Sequence, residues 1–434
     1  MKDVKLGIVG LGNVGGGTLT ILAENSEEIA RKLGFRLQVA AVCSRTAKEK
    51  QLPAGIAPAL ITTDWREVVA HPEVDVVAEL VGGTGVAKEV VEGAIAAGKS
   101  VVTANKELIA LEGVNIWRQA QAKGVTLAME ASVCGGIPIH AVLREGIAGD
   151  RIETVFGILN GTSNYILTEI EQNGTAFDAV LAEAQRLGYA EADPTADIGG
   201  FDARSKLALL ASLAFGVRLT PAEIYTEGIQ RVSPTDFAYA RQLGCTIKLL
   251  CAARRVEGGL FVSVRPALLP VSTIMASVHG AYNAVWCRGA FGADTFYYGR
   301  GAGPTPTGVA VVSDLMRVAR EIRPEPAHRV PPFAHTELPD ASPLPIGDQK
   351  RPWYLRFRIT DRPGIIRDLS SILAGHGISI DAVLQLPDQD KHNLPFVITL
   401  ENSLESSVRS AVEKMAALEF MVEPPLAMPI ERGV

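Results

Sequence analysis

Residues 4–18 read Val4-Lys5-Leu6-Gly7-Ile8-Val9-Gly10-Leu11-Gly12-Asn13-Val14-Gly15-Gly16-Gly17-Thr18, an apolar run that breaks into glycines and enters a helical pattern near Thr18. A short strand followed at once by Gly-x-Gly-x-x-Gly and a helix is the local order a dinucleotide fold requires. The first glycine permits the tight turn, the second lets backbone approach a pyrophosphate, and the third lets helix pack closely on strand. Gly10, Gly12, Asn13, Val14 and Gly15 are therefore the expected cofactor contacts, with the helix N-terminus offering free N–H groups to phosphate.

Further buried strands are expected at 37–42, 74–81, 100–103 and 125–129, with helices at 88–97 and 115–123 between them. Alternating strand and helix predicts an α/β fold, a Rossmann-type doubly wound parallel sheet. The second strand ends in Cys43-Ser44-Arg45-Thr46, where many NAD-binding domains carry an acid for the ribose 2'-hydroxyl. Arg45, with Lys48 and Lys50 nearby, suits the 2'-phosphate of NADP, with NAD the alternative, and reads equally as one of several solvated basic residues at a helix start. Thr103-Ala104-Asn105-Lys106 closes another strand, so Thr103 and Lys106 fall at the carboxyl edge where ligands of such sheets bind, although a lysine there is as often a solvated loop residue.

The chain has 434 residues, enough for two to four domains at roughly 100 to 200 residues each. A net charge of -6 with 47% hydrophobic residues gives no electrostatic reason for a nucleic acid or membrane partner, and a small soluble ligand is expected instead. Five cysteines without CxxC spacing suggest neither a disulfide framework nor a zinc site. No run reaches about 18 uninterrupted apolar residues and no cleavage pattern follows the N-terminus, so the expected location is the cytoplasm.

The densest polar chemistry lies at 184–206, AQRLGYAEADPTADIGGFDARSK, four carboxylates and a lysine between two helical patterns. Asp202 and Lys206 are four apart and share a helix face, while Glu191 and Asp197 hang in the preceding Pro- and Gly-containing loop. Such a cluster suits an ammonium ligand and a proton transfer; read singly, Asp193 and Asp197 are turn residues. Glu130 and the following ASVCGGIP could supply oxygens to a hard cation or form a plain tight turn. Gly161-Thr162-Ser163-Asn164 offers small polar groups to a ligand or caps the next helix, and 299–305 reads as a flexible glycine turn before a helix at 309–322.

The segment 323–352 is proline-rich and aperiodic, as a linker is. Beyond it the pattern β-α-β-β-α-β describes a small ferredoxin-like unit.

Taken together, these motifs resemble homoserine dehydrogenase of the type with a C-terminal ACT domain. The run Ala184-x3-Gly188, Asp193-Pro194, Asp197-Ile198, Gly200, Asp202, Lys206 has that family's signature spacing, and TANK at 103–106, LNGTSNYI at 159–166 and GRGAGPTPT at 299–307 fall in the family's order. The resemblance implies a Rossmann domain at 1–130 completed by 303–322, an α+β substrate and dimerisation domain at 131–302, and an ACT domain at 353–434. It implies reversible NAD(P)H-dependent reduction of L-aspartate 4-semialdehyde to L-homoserine. Lys206 is implied as proton donor and Lys106 as the lysine near nicotinamide and substrate. Glu191, Asp202, Asp197, Gly161 and Thr162 are implied around the substrate, and Gly303 as a cofactor contact. Glu130 with the carbonyls of Val133, Gly135 and Ile137 is implied as a sodium site. Asp361 and Gly364 are implied in an effector site for L-threonine, in a homodimer or homotetramer. Two rivals are another semialdehyde oxidoreductase and an amino-acid sensor built on an inactive dehydrogenase body.

Overall fold

The computed structural model describes residues 3–47, 49–257, 259–323, 346–348, 350–385 and 390–429. Lys48 and most of the expected linker, 324–345, lie outside the described residues. The chain divides into two compact units, one within residues 1–337 and one within 338–434.

In the first unit, short apolar runs make β1 (Val4–Val9), β2 (Leu37–Cys43), β3 (Leu60–Thr62), β4 (Val76–Glu79), β5 (Ser100–Thr103) and β6 (Leu127–Ala128), with β4 and β5 buried on both faces. They form one parallel sheet in the order β3-β2-β1-β4-β5-β6. The order reverses between β1 and β4, which opens a crevice at the carboxyl ends of the strands. Register aligns Val9 with Cys43 on one side and with Glu79 on the other, and Glu79 with Thr103, so these four residues mark that edge.

Helix Asn13–Glu24 starts inside the glycine motif, earlier than the pattern near Thr18 suggests. Its Gly17 lies so close to helix Pro304–Glu321 that a Cβ there would sit 2.1 Å from the Pro304 oxygen. Helix Lys106–Lys123 is also longer than its periodicity indicates, because the Asn105 side chain accepts from Leu108 N and caps it immediately after β5. Lys106 is thus the first helical residue rather than a loop residue.

A second sheet is built from β7 (Ile152–Ile158), β8 (Tyr225–Thr226), β9 (Cys245–Val256), β10 (Gly259–Pro270), β11 (Tyr282–Gly289) and β12 (Ala293–Arg300), in the order β12-β11-β7-β9-β10-β8. All pairings are antiparallel except β8 with β10. Helices Gly161–Asn173, Phe177–Arg186 and Phe201–Phe215 share a core with it around Val155, Ile166, Leu207 and Val285. Gly299 and Arg300, read from sequence as part of a flexible turn, close β12.

The second unit has β13 (Lys350–Ile359), helix Ile365–Gly375, β14 (Ile380–Leu384), β15 (Leu394–Leu404), helix Glu405–Ala416 and β16 (Leu426–Pro429). Its antiparallel sheet runs β14-β15-β13-β16, and alternate residues Trp353, Leu355, Phe357 and Ile359 point into a core shared with both helices. This is the β-α-β-β-α-β order expected.

Candidate active site

At the end of β1, Gly10 has φ +104°, and a Cβ there would lie 2.5 Å from the Leu80 carbonyl. A Cβ on Gly15 would lie 2.0 Å from the Gly10 oxygen, so the first and third glycines are set by backbone contact. Around Gly12 the space is open, and helix Asn13–Glu24 has no side chain bonded to its first-turn amides. Open amides at a helix N-terminus suit phosphate. They border a crevice of about 1160 Å³ whose wall includes Gly10, Gly12, Arg45, Lys50, Arg66 and Val81. Size, glycine cradle and cations all fit a dinucleotide. Lys50 Nζ donates to the Leu11 carbonyl, and Arg66, which the sequence reading passed over, pairs with Asp64 at 3.4 Å and Glu89 at 3.5 Å. Thr103 is fully buried, its hydroxyl donating to Glu79 at 2.6 Å.

Three charges meet at the start of helix Phe201–Phe215. Asp202 Oδ2 lies 2.8 Å from Lys206 Nζ, one turn on, and Asp202 Oδ1 lies 3.0 Å from Lys106 Nζ. Lys206 is 9% exposed and also donates to the Leu159 carbonyl at 2.8 Å. Burial alone would raise the Asp202 carboxyl, but Lys206 and Lys106 overcome that and hold it well below the usual carboxylate range. For Lys206 burial works toward loss of the proton, yet Asp202 beside it leaves the ammonium harder to deprotonate than a free lysine.

Asn160 completes the cluster, its Nδ2 donating to Asp197 Oδ1 at 2.7 Å and to Asp202 Oδ2 at 2.8 Å. The same side chain caps helix Gly161–Asn173 through Ser163 N. Its place just before a helix marks it in sequence as a cap; the bridge to residues 37 and 42 positions away has no sequence signal. Burial raises the Asp197 carboxyl, against the opposing hydrogen bond from Asn160. Thr162 Oγ1 donates to the Tyr189 carbonyl at 2.6 Å, while Gly161, where a Cβ would lie 2.9 Å from the Ala281 oxygen, opens the helix. Glu191 is exposed, and no hydrogen bond or ion pair joins its carboxylate to the lysines or to Asp202 among the described residues.

Beside this lies the turn after β6. Glu130 is 4% exposed, and its carboxylate accepts from His140 N at 2.9 Å and Ala141 N at 2.7 Å. Burial, with Asp314 adding to it, pushes the Glu130 carboxyl up to about 7 against those two amides. Cys134 holds φ +51°, and Ile137 O accepts from Ile139 N, while the Val133 and Gly135 carbonyls accept no hydrogen bond among the described residues. A buried carboxylate and carbonyls without hydrogen-bond donors are oxygen ligands of the kind a hard cation takes. The turn packs on the segment before Gly303, since a Cβ on Gly136 would lie 2.6 Å from the Arg300 oxygen; Gly303 itself has φ +126° and precedes helix Pro304–Glu321.

In the second unit Asp361 N donates to the Lys391 carbonyl at 2.7 Å, and Gly364, with φ +94°, opens helix Ile365–Gly375. Asp361 is exposed.

A dinucleotide crevice at a switch point, with a half-buried lysine of the nucleotide domain meeting a nearly buried Asp-Lys pair on a helix of the second-sheet domain, is the arrangement of a nucleotide-dependent oxidoreductase carrying a separate C-terminal α+β unit. The family model for homoserine dehydrogenase matches residues 138–316, that for the homoserine dehydrogenase NAD-binding domain matches 10–130, and that for the ACT domain matches 353–420. The chain is 44% identical over 435 aligned residues to homoserine dehydrogenase of Pseudomonas aeruginosa, covering 100% of both. A crystal structure of homoserine dehydrogenase from Thiobacillus denitrificans matches with 46% identity and TM-score 0.73, covering 99% of each chain. A hyperthermophilic archaeal homoserine dehydrogenase in complex with NADPH matches 74% of this chain and 99% of that one, at 25% identity and TM-score 0.63. The chain belongs to the homoserine dehydrogenase family and is an oxidoreductase acting on a CH–OH group, the reversible couple of L-homoserine and L-aspartate 4-semialdehyde. No helix among the described residues is long and apolar enough to cross a membrane.

Proposed function

We propose that Lys206 is the proton donor of this reaction, Asp202 its orienting anion and Lys106 a second cation at the reacting centre. The observation that carries this is the convergence of both lysines on one buried carboxylate. When bound, the reduced nicotinamide supplies a hydride to the aldehyde carbon. An alkoxide then develops at the neighbouring oxygen, and a held ammonium both stabilises it and gives it a proton. Two of the three Lys206 N–H bonds go to Leu159 O and Asp202, which leaves one for the substrate oxygen. Asp202 and Asn160 keep Lys206 charged and fixed in direction, so little reorganisation accompanies the transfer. Glu191, which is exposed, meets the substrate's α-ammonium in this reading, with Gly161, Thr162 and Asp197 around the substrate. NADPH oxidation with L-aspartate 4-semialdehyde, wild type against Lys206→Ala, is the direct test.

The cofactor in this reading is NADP, bound through Gly10, Gly12, Asn13, Val14, Gly15 and Arg45, with Gly303 a further contact; Thr103, fully buried against Glu79, supports the crevice wall from behind rather than touching the nucleotide. Arg45 and Lys50 on the crevice wall support NADP, as does the lack of an acid at residues 43–46, where β2 ends; the wall's two acids, Asp64 and Glu89, are paired with Arg66. Glu130 and the carbonyls of Val133, Gly135 and Ile137 hold a sodium ion, which compensates a buried carboxylate next to Asp314. The C-terminal ACT unit binds L-threonine at the turn containing Asp361 and Gly364 and feeds back on activity. The enzyme is a homodimer or homotetramer in the cytoplasm; exposed Phe261 (70%) on β10 supports association through the second sheet.

A further inference from the structure

Glu79 is a carboxylate with no exposed surface at the last position of β4. No cation pairs with it among the described residues, and burying an unpaired carboxylate is expensive unless donors satisfy it. Three do. Glu79 Oε1 accepts from Val81 N at 2.8 Å and Gly82 N at 3.1 Å, and Glu79 Oε2 accepts from Thr103 Oγ1 at 2.6 Å.

Both ends of this arrangement reach the proposed site. On one side the amides it fixes belong to the segment 80–82, which walls the dinucleotide crevice and lies against Gly10 so closely that a Cβ on Gly10 would be 2.8 Å from Val81 N. On the other side Thr103 Oγ1 accepts from Asn105 N at 3.0 Å. Asn105 in turn donates to Gly83 O at 2.7 Å and caps Leu108 N at 3.1 Å, so it ties the loop after β4 to the first turn of helix Lys106–Lys123. Lys106 starts that helix and reaches Asp202.

We infer that Glu79 is a positioning residue, joining the seating of the nucleotide at residues 80–83 to the placement of Lys106 through the relay Glu79–Thr103–Asn105. The inference rests on the proposed role of Lys106. Glutamine at position 79 does not reproduce the relay as it stands, because its NH₂ would either oppose the amides of Val81 and Gly82 or turn the Thr103 hydroxyl from donor to acceptor, and the negative charge is lost in both cases. Valine at position 103 keeps the shape of threonine while removing the hydroxyl that both donates to Glu79 and accepts from Asn105.

The test measures kcat, the primary deuterium isotope effect with reduced cofactor deuterated at the transferred C4 position, and Tm, for Glu79→Gln, Thr103→Val, the double variant and Lys106→Ala. Misplacement of a reacting group by about 1 Å costs up to about 100-fold in rate, so each single variant is expected to lose about tenfold or more in kcat, with a larger isotope effect. The double variant is expected to be no slower than the slower single, because both break one relay. Unchanged kcat and isotope effect with only a lower Tm would make Glu79 structural, and additive losses would deny the relay. Thr103→Val carries the test if Glu79→Gln does not fold. Full activity in Lys106→Ala would overturn the role assigned to Lys106; an impaired Lys106→Ala beside an unimpaired Glu79→Gln would overturn the relay alone.

Discussion

Asp202 Oδ2 and Lys206 Nζ stand 2.8 Å apart on successive turns of one helix, both nearly buried, with Lys106 on the other oxygen of the same carboxylate. Removing Asp202 from this pair is the costly change, about 3 to 5 kcal/mol, because Lys206 is left charged and dry with only the Leu159 carbonyl, whereas Asp202 without Lys206 keeps Lys106 and Asn160.

Removing the donor itself isolates chemistry from binding. Lys206→Ala is expected to lower kcat by about 100-fold to 10,000-fold, the usual range for a general acid, while nucleotide affinity measured by fluorescence titration stays within about twofold. Near wild-type turnover would remove Lys206 from its assigned role.

The sign of the pH effect follows from the same pair. Lys206 is shifted above its ordinary 10.5, so its contribution to stability is fully present below that value and is lost as pH rises through the raised one. Asp202 is shifted down, so its contribution is present above the usual carboxylate range and is lost as pH falls through the depressed value. Asp202→Asn should therefore move the alkaline limb of kcat to lower pH, read from a pH–rate profile. An unmoved limb would mean that Asp202 does not set the lysine's proton affinity.

Glu130 has the opposite sign. The folded protein holds its proton up to about 7, against 4.5 for a free glutamate, so this group lowers stability progressively as pH rises between those values. The loss is at most about 3 kcal/mol. A sodium ion at the site would offset it, so Tm should rise more in sodium chloride than in choline chloride of equal ionic strength, and more at pH 8 than at pH 5. Glu130→Gln should abolish that difference; a sodium effect that survives the substitution places the ion elsewhere.

Cofactor choice is testable at one side chain. Arg45→Ala should raise KM for NADPH by about tenfold or more and leave KM for NADH nearly unchanged, since a 2'-phosphate contact is charge-assisted. Equal effects on both nucleotides would argue that Arg45 does not discriminate between them.

For the C-terminal unit, Asp361→Ala is expected to abolish inhibition by L-threonine without altering uninhibited turnover. Calorimetry on the full chain checks the binding itself. Absence of both inhibition and binding in the wild type would leave the ACT unit without this effector.

Much of the architecture was legible because local rules and tertiary packing agree. β1, β5 and the helix before Gly188 stand where periodicity places them, and Gly10 and Gly15 are required by contacts within their own motif. Helix starts were less legible: Asn105 and Asn160 extend or fix helices through side-chain caps that a hydrophobic period does not register. Glu79 and Asn160 are not legible as site residues because the side chains they join, Thr103 for one and Asp197 and Asp202 for the other, are distant in sequence, and Arg66 because only folding sets it on the crevice wall.

The sequence by itself determined the nucleotide fold, the small C-terminal β-α-β-β-α-β unit and the helical step from Asp202 to Lys206, since strand runs, glycine turns and i,i+4 spacing are local properties. Tertiary structure alone decided that Lys106 shares the same carboxylate, that Asn160 bridges two aspartates, and that Glu79 lies buried behind the crevice. The reason is physical: burial and charge pairing depend on what the rest of the chain brings within about 3 Å, a distance that spacing along the chain does not encode.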